Sequence, residues 1–185
     1  MEIAPAVDQA RFRDVIGRFA TGVSIVTAGG PQGPSGLTTN AVSSLSLDPV
    51  LLLVCFDNDS RTLPVVESAG RFAVNHQRAG DEELARIFAS KRVGGEKFEA
   101  VTHRVAHGVP VLDDALAWLA CDLEALHPAG DHTIGIGRVT HLDADADGEP
   151  LVFYRGRFAR LCEEAPRAFP PPGAPGSRSP APRRS

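Results

Sequence analysis

The chain has little sulfur and few aromatic rings, with three cysteines, one methionine, one tryptophan and one tyrosine among 185 residues. Its cysteines, at 55, 121 and 162, are odd in number and widely spaced. That pattern fits neither a disulfide framework nor a zinc site, so reduced thiols are expected. Long apolar runs are missing as well. No stretch approaches the ~20 residues that a membrane helix needs, and Met1-Glu2-Ile3-Ala4-Pro5 lacks the basic start and apolar segment of a signal peptide. A cytoplasmic protein is expected, in which the Asn58-Asp59-Ser60 sequon goes unused. Positive charge is scarce in the body: of 19 basic and 23 acidic residues, four arginines and no acids fall from Pro166 onward, which leaves 15 against 23, a balance of −8. Such a body repels phosphate backbones and anionic lipid, so neither nucleic acid nor membrane is an expected partner.

What is present suits one well-buried core, since 43% of the chain is apolar and its length is short for two domains. Phe12, Val15, Ile16 and Phe19 recur at helical spacing, which predicts an amphipathic helix over 8–19 capped by Asp8. Gly22 to Ala28, a turn over 29–34, and Ser35 to Ser43 read as a hairpin. Val50 to Phe56 is a continuous apolar run, expected to be a strand buried on both faces. Ser60 is the expected N-cap of a short helix to Ala69, with Pro64 in its tolerant first turn. Arg71 to His76 reads as a strand and Asp81 to Ser90 as a second amphipathic helix, with a further helical turn over Val93 to Phe98. Ala115 to Leu126 and His132 to Leu142 form a long curved hairpin, and Leu151 to Tyr154 with Arg157 to Leu161 supply short closing strands. A mainly β fold, a barrel or strongly curled sheet with a few short helices, follows for residues 1–162. Residues 163–185, rich in proline and arginine, read as a disordered tail.

Several motifs carry no chemistry. Gly135-Ile136-Gly137 lies inside a strand pattern and lacks a third glycine and a following helix, so close strand packing is the better reading. Neither Gly29 to Pro34 nor Gly94-Gly95-Glu96-Lys97 matches a phosphate loop. His103 and His107 have helical spacing, but Gly108, Pro110 and the absence of an intervening glutamate favour a solvated loop over a metal helix, and no metal is expected. Ser43, Ser44 and Ser46 are not in a nucleophile elbow.

Two segments do suggest binding. Ser60-Arg61-Thr62 opens a predicted helix and combines two hydroxyls, a guanidinium and free N–H groups, a set that suits an oxyanion as well as an ordinary cap. Thr38-Thr39-Asn40-Ala41 sets three small polar side chains in succession at the end of a hairpin, where they could line a polar ring edge. Gly130-Asp131-His132 occupies a tight turn that presents an imidazole at the lip of a sheet.

These three segments, with Ser46-Leu47-Asp48-Pro49, Phe72-Ala73-Val74-Asn75 and Tyr154-Arg155-Gly156, follow in the order and spacing of one family. From Phe12 to Leu161 the chain resembles the short-chain flavin reductases, the reductase components of two-component flavin monooxygenases. The resemblance implies a flavin-binding split β-barrel, usually homodimeric, that reduces FMN or FAD with NADH or NADPH and hands the product to an oxygenase. It also implies flavin contacts at Thr38, Thr39, Asn40, Ala41, Ser60, Arg61 and Thr62, with Lys97-Phe98 as a basic-aromatic pair near the cofactor. It makes His132 the catalytic-site residue that orients the nicotinamide nucleotide, with Asp131 fixing the turn and Arg155-Gly156 shaping the closing strand or a dimer contact. His76 departs from the pattern, since an apolar residue is more typical there, and the tail falls outside the family's core. A split-barrel flavoprotein with tightly bound FMN and its own organic substrate, or a non-catalytic flavin or haem carrier, are the competing readings.

Overall fold

In the computed structural model, residues 7–92 and 94–161 are described. The expected tail over 163–185 and the expected helical residue Val93 lie outside them. The chain begins with α1 (Gln9–Ile16), whose first amides, Ala10 N–H and Arg11 N–H, are accepted by the Asp8 carboxylate. A short β1 (Thr21–Gly22) leads into β2 (Ser24–Gly30), β3 (Gly33–Thr39), β4 (Val42–Leu47) and β5 (Val50–Asp57). Then come α2 (Leu63–Ala69), β6 (Arg71–His76), α3 (Glu82–Ala89) and α4 (Gly94–Phe98). The remainder is strand: β7 (His103–Ala106), β8 (Val109–Leu112), β9 (Ala117–Ala129), β10 (His132–Ala144), β11 (Val152–Tyr154) and β12 (Arg157–Ala159).

Seven strands make one antiparallel sheet in the order β3-β2-β6-β9-β10-β5-β4. Its two edges, β3 and β4, are consecutive in the chain and joined by Asn40-Ala41. Among the described residues no ladder pairs one edge with the other, which leaves a seam open in the split-barrel arrangement. Alternate residues point inward. Val26 and Ala28, Leu52, Val54 and Phe56, Phe72 and Val74, and Cys121 form the core, joined by Val66 of α2. Gly135 and Gly137 of β10 face it, and a Cβ at Gly137 would lie 2.5 Å from the Phe72 ring, one at Gly135 2.6 Å from that of Phe56. The Gly-Ile-Gly segment is therefore the seat of two aromatic rings, as close strand packing requires.

Four expectations need correction. The strand expected over 35–43 breaks in two, because the Thr39 hydroxyl accepts the Ala41 N–H and turns the chain. The helix expected from Ser60 starts at Leu63 with Thr62 at its cap, since Asp57 accepts the amides of Asp59 and Ser60 and holds a tight turn there. β5 is fully buried on one face only: Leu52, Val54 and Phe56 are buried, whereas Leu51, Leu53 and Cys55 are half-buried, because the helices pack over β2, β3 and β6 instead. The solvated loop expected at His103 to His107 is the hairpin β7–β8, with His107 in its turn. It covers the outer face of β6 and β9 through Val109 and Val111 on Ala73 and Ala120.

Candidate functional site

A cavity of about 430 Å³ opens where β3, the end of β5 and the C-terminal end of α3 converge. Arg61, Lys91, Arg92 and Lys97 line it against two carboxylates, Asp57 and Asp59. A surplus of cations in so acidic a chain marks an anion site. Lys97 is nearly buried, and its ammonium donates to the Gly36 carbonyl (3.1 Å) and to that of Phe88 (2.9 Å) in the last turn of α3. Burial, with a smaller contribution from the Arg61 charge, pushes its pKa below the ordinary lysine value. Two of its three N–H groups are spent on carbonyls, and one remains for a ligand.

The hydroxyls are arranged for the same purpose. Ser60 Oγ accepts the Leu63 N–H at 3.1 Å, which leaves its own proton to donate. Ser35 and Thr62, which both line the cavity, share a hydrogen bond of 3.0 Å in which the accepting hydroxyl keeps its own proton. Thr38 also lines the cavity, but its hydroxyl donates to the Ala85 carbonyl at 2.7 Å and ties β3 to α3. Thr39, Asn40 and Ala41 do not line this cavity. Thr39 shapes the corner, and the Asn40 amide donates to the Thr21 hydroxyl at 3.2 Å beside a second cavity, of about 470 Å³, at the barrel's other end. Phe98 is buried edge-on against Phe88 and His103, so of the Lys97-Phe98 pair the lysine alone lines the site.

His132 opens β10 after the Gly130-Asp131 turn and is directly opposite Asp57 in the ladder, one strand from the cavity rim. Its Nδ1 lies 2.7 Å from Asp131 Oδ1, and because an ionised carboxylate only accepts, Nδ1 is the donor and Nε2 the free nitrogen. The same bond, reinforced by charge, holds the Asp131 carboxyl below the usual aspartate range.

Sequence reading missed three residues of this region. Asn58 clamps the two loops together: its backbone N–H donates to Asp131 O, its side-chain amide to Gly130 O, and its Oδ1 accepts the Thr133 hydroxyl. Lys91 and Arg92 follow Ser90, whose hydroxyl caps the Ile87 carbonyl. A basic dipeptide just past a helix end was the available signal, since cations favour the negative end of a helix.

At the barrel's other end, Phe19, Leu47 and Val50 line the second cavity with His76. His76 Nδ1 meets the Ser24 hydroxyl at 2.9 Å, and burial lowers its pKa from the ordinary histidine value. Arg155 takes a left-handed conformation in the β11–β12 turn, and its N–H donates to Gly17 O.

The chain is similar to known proteins over most of its length. A flavin reductase of Pseudomonas putida is 37% identical over 158 residues, 84% of this chain and 92% of its own. The NADH:FAD oxidoreductase SgcE6 of Streptomyces globisporus, solved with NAD and FAD fragments, superposes with a TM-score of 0.82 at 35% identity, over 90% of this chain and all of that one. The nitrilotriacetate monooxygenase component B of Mycobacterium thermoresistibile gives 0.81 at 33% identity, covering 88% of this chain and 92% of that one. Residues 16–161 match the family model of the flavin reductase like domain, and the chain belongs to that family.

Proposed function

We propose that this protein is an NAD(P)H:flavin oxidoreductase that works as a homodimer and supplies reduced FMN or FAD to a partner monooxygenase. The observation that carries this reading is the cationic cavity one strand from His132. The donors suit a phosphate: Ser60 with its hydroxyl, Lys97 with its spare N–H and Arg61 line one cavity, and charge-assisted hydrogen bonds offset the cost of desolvating an oxyanion. FMN and FAD both carry such a phosphate. Thr38 borders the same space, and the Thr39-Asn40-Ala41 corner lies beyond it along the seam. A bound flavin supplies the ring that accepts a hydride from the reduced nicotinamide.

The chain's own contribution is orientation. With Nδ1 held by Asp131, His132 has one free nitrogen to hydrogen-bond the nicotinamide nucleotide, and Asn58 keeps that turn in register with the phosphate loop. The homodimer rests on the opposite end of the barrel. Phe12, Val15, Ile16 and Phe19 make an apolar stripe that is 52–71% exposed, continuous through Phe19 with Leu47 and Val50. A contiguous apolar patch of this kind marks an interface. Among the described residues no helix is long and apolar enough to cross a membrane. The free thiols of Cys55 and Cys121 support the cytoplasm, where NAD(P)H is made. The relatives described as flavin reductase and monooxygenase component support the activity and the oxygenase partner.

The test is steady-state oxidation of NADH and NADPH by the purified protein with FMN, FAD and riboflavin in turn. Consumption that depends on added flavin is expected, and none with any flavin refutes the reading.

A further inference from the structure

The cationic cavity holds more positive charge than one phosphate uses. The terminal oxygens of a phosphomonoester are already met by the Ser60 hydroxyl, the spare Lys97 N–H and the fork of Arg61. Lys91 and Arg92 line the same cavity and add an ammonium and a second guanidinium. Among the described residues neither side chain has an ion pair, although Asp57 and Asp59 border the same space, whereas Arg18, Arg78, Arg86, Arg104 and Arg138 all pair with carboxylates. Their place is also built. Ser90 ends α3 in an extended conformation, and its hydroxyl donates to Ile87 O at 2.6 Å and accepts the Arg92 N–H at 3.4 Å. The dipeptide therefore reaches the cavity from the α3 side, while Ser60 and Arg61 reach it from the turn after β5.

We propose that Lys91 and Arg92 form a second phosphate subsite and make FAD the preferred flavin over FMN, an inference that rests on the cavity being the flavin phosphate site. Net charge does not make that choice, because the FMN monoester and the FAD diphosphate each carry roughly two negative charges near pH 7. Its distribution does. FMN concentrates the charge on one phosphoryl group, whereas FAD spreads it over two in succession, and cations supplied from two sides of one cavity match the second pattern. The nicotinamide nucleotide is the other diphosphate in the reaction. Its proposed contact, His132, pairs with Asp57 on the β5 side, and among the described residues none of β10 lines the cavity, so the α3 side falls to the flavin.

Fluorescence titration of the full chain with FAD, FMN and riboflavin tests this by binding alone. The unaltered protein should take FAD about tenfold more tightly than FMN, and Lys91→Ala with Arg92→Ala should abolish that margin while FMN and riboflavin affinities change by less than about twofold. Retained FMN affinity also shows that the variant is folded. Lys91→Arg with Arg92→Lys, which keeps both charges, should restore most of the margin. Equal losses of FAD and FMN overturn the proposal, because they assign the pair to the first phosphate or to the general field of the cavity. An unchanged FAD affinity overturns it as well, and if the KM for NAD(P)H rises at the same time the dipeptide belongs to the nucleotide. An unaltered protein that binds FMN as tightly as FAD sinks this proposal and leaves the flavin site standing, whereas binding of neither flavin refutes both.

Discussion

The two ends of the barrel are finished in opposite ways. At the end that holds Asp57 and His132, polar groups are paired within the chain: Asn58 joins two turns, Lys97 donates to the Phe88 carbonyl of α3 and the Gly36 carbonyl of β3, and Ser35 meets Thr62. At the other end, α1 leaves its apolar stripe outside, and the cavity that Phe19 borders sets aliphatic side chains such as Leu47 and Val50 beside His76, Asn40 and several small hydroxyls. A polar site can be completed by one subunit because hydrogen bonds saturate locally. An exposed apolar stripe is stable only when other apolar surface covers it. The contrast is the ground on which we propose ligand recognition at the first end and self-association at the second.

The largest effect is expected at the polar end. Ser60→Ala with Thr62→Ala should weaken FMN and FAD by a hundredfold or more and riboflavin little, since each hydrogen bond to a charged group is worth about 1.5–3 kcal/mol. Flavin titration by fluorescence measures this, and equal losses for riboflavin would assign the pair to the fold alone. Next comes the apolar end, where Val15→Asp with Phe19→Asp should shift the mass in light scattering from dimer to monomer. Burying each such side chain contributes about 1.5–3 kcal/mol, counted twice in a symmetric contact. An unchanged mass would leave the stripe without that role.

A smaller change is expected at His132. Its replacement by alanine should raise the KM for NAD(P)H or slow flavin reduction several-fold while flavin affinity stays constant, which stopped-flow reduction and a titration resolve. A loss confined to flavin binding would return His132 to the turn. The smallest effect concerns His76, whose folded pKa is below its ordinary value of 6.5. The unfolded chain takes up this proton first as the pH falls, so stability should drop on acidification through that region. His76→Asn, which can keep the bond to Ser24, should flatten the drop in urea midpoint between pH 7.5 and 5.5. Equal slopes in the two proteins would show that His76 does not contribute to it.

Local signals in the sequence were enough for most elements. The Asp8 cap, the spacing of Phe12 to Phe19, the apolar alternation and the Gly130 turn each act over a few residues, so α1, β6 and the long β9–β10 hairpin were legible directly. The β7–β8 hairpin was not, because its four-residue strands pair only with each other and Gly108 and Pro110 read as a loop. The candidate site was half legible. Ser60, Arg61, Thr62 and Lys97 stand out by residue type, and the family pattern joins them, but Asn58 reads as an unused sequon and Lys91-Arg92 belongs to no motif. Only the fold sets them beside residues that are distant in the chain.

By itself, then, the sequence determined the periodicities, the turns and the charge, all of which depend on neighbours in the chain. Tertiary structure decided which face of β5 is buried, how Thr38 and Asn40 part toward different cavities, and which apolar stripe stays uncovered. Those outcomes depend on sheet register and on which strands the helices cover, and no local stretch of sequence encodes either one.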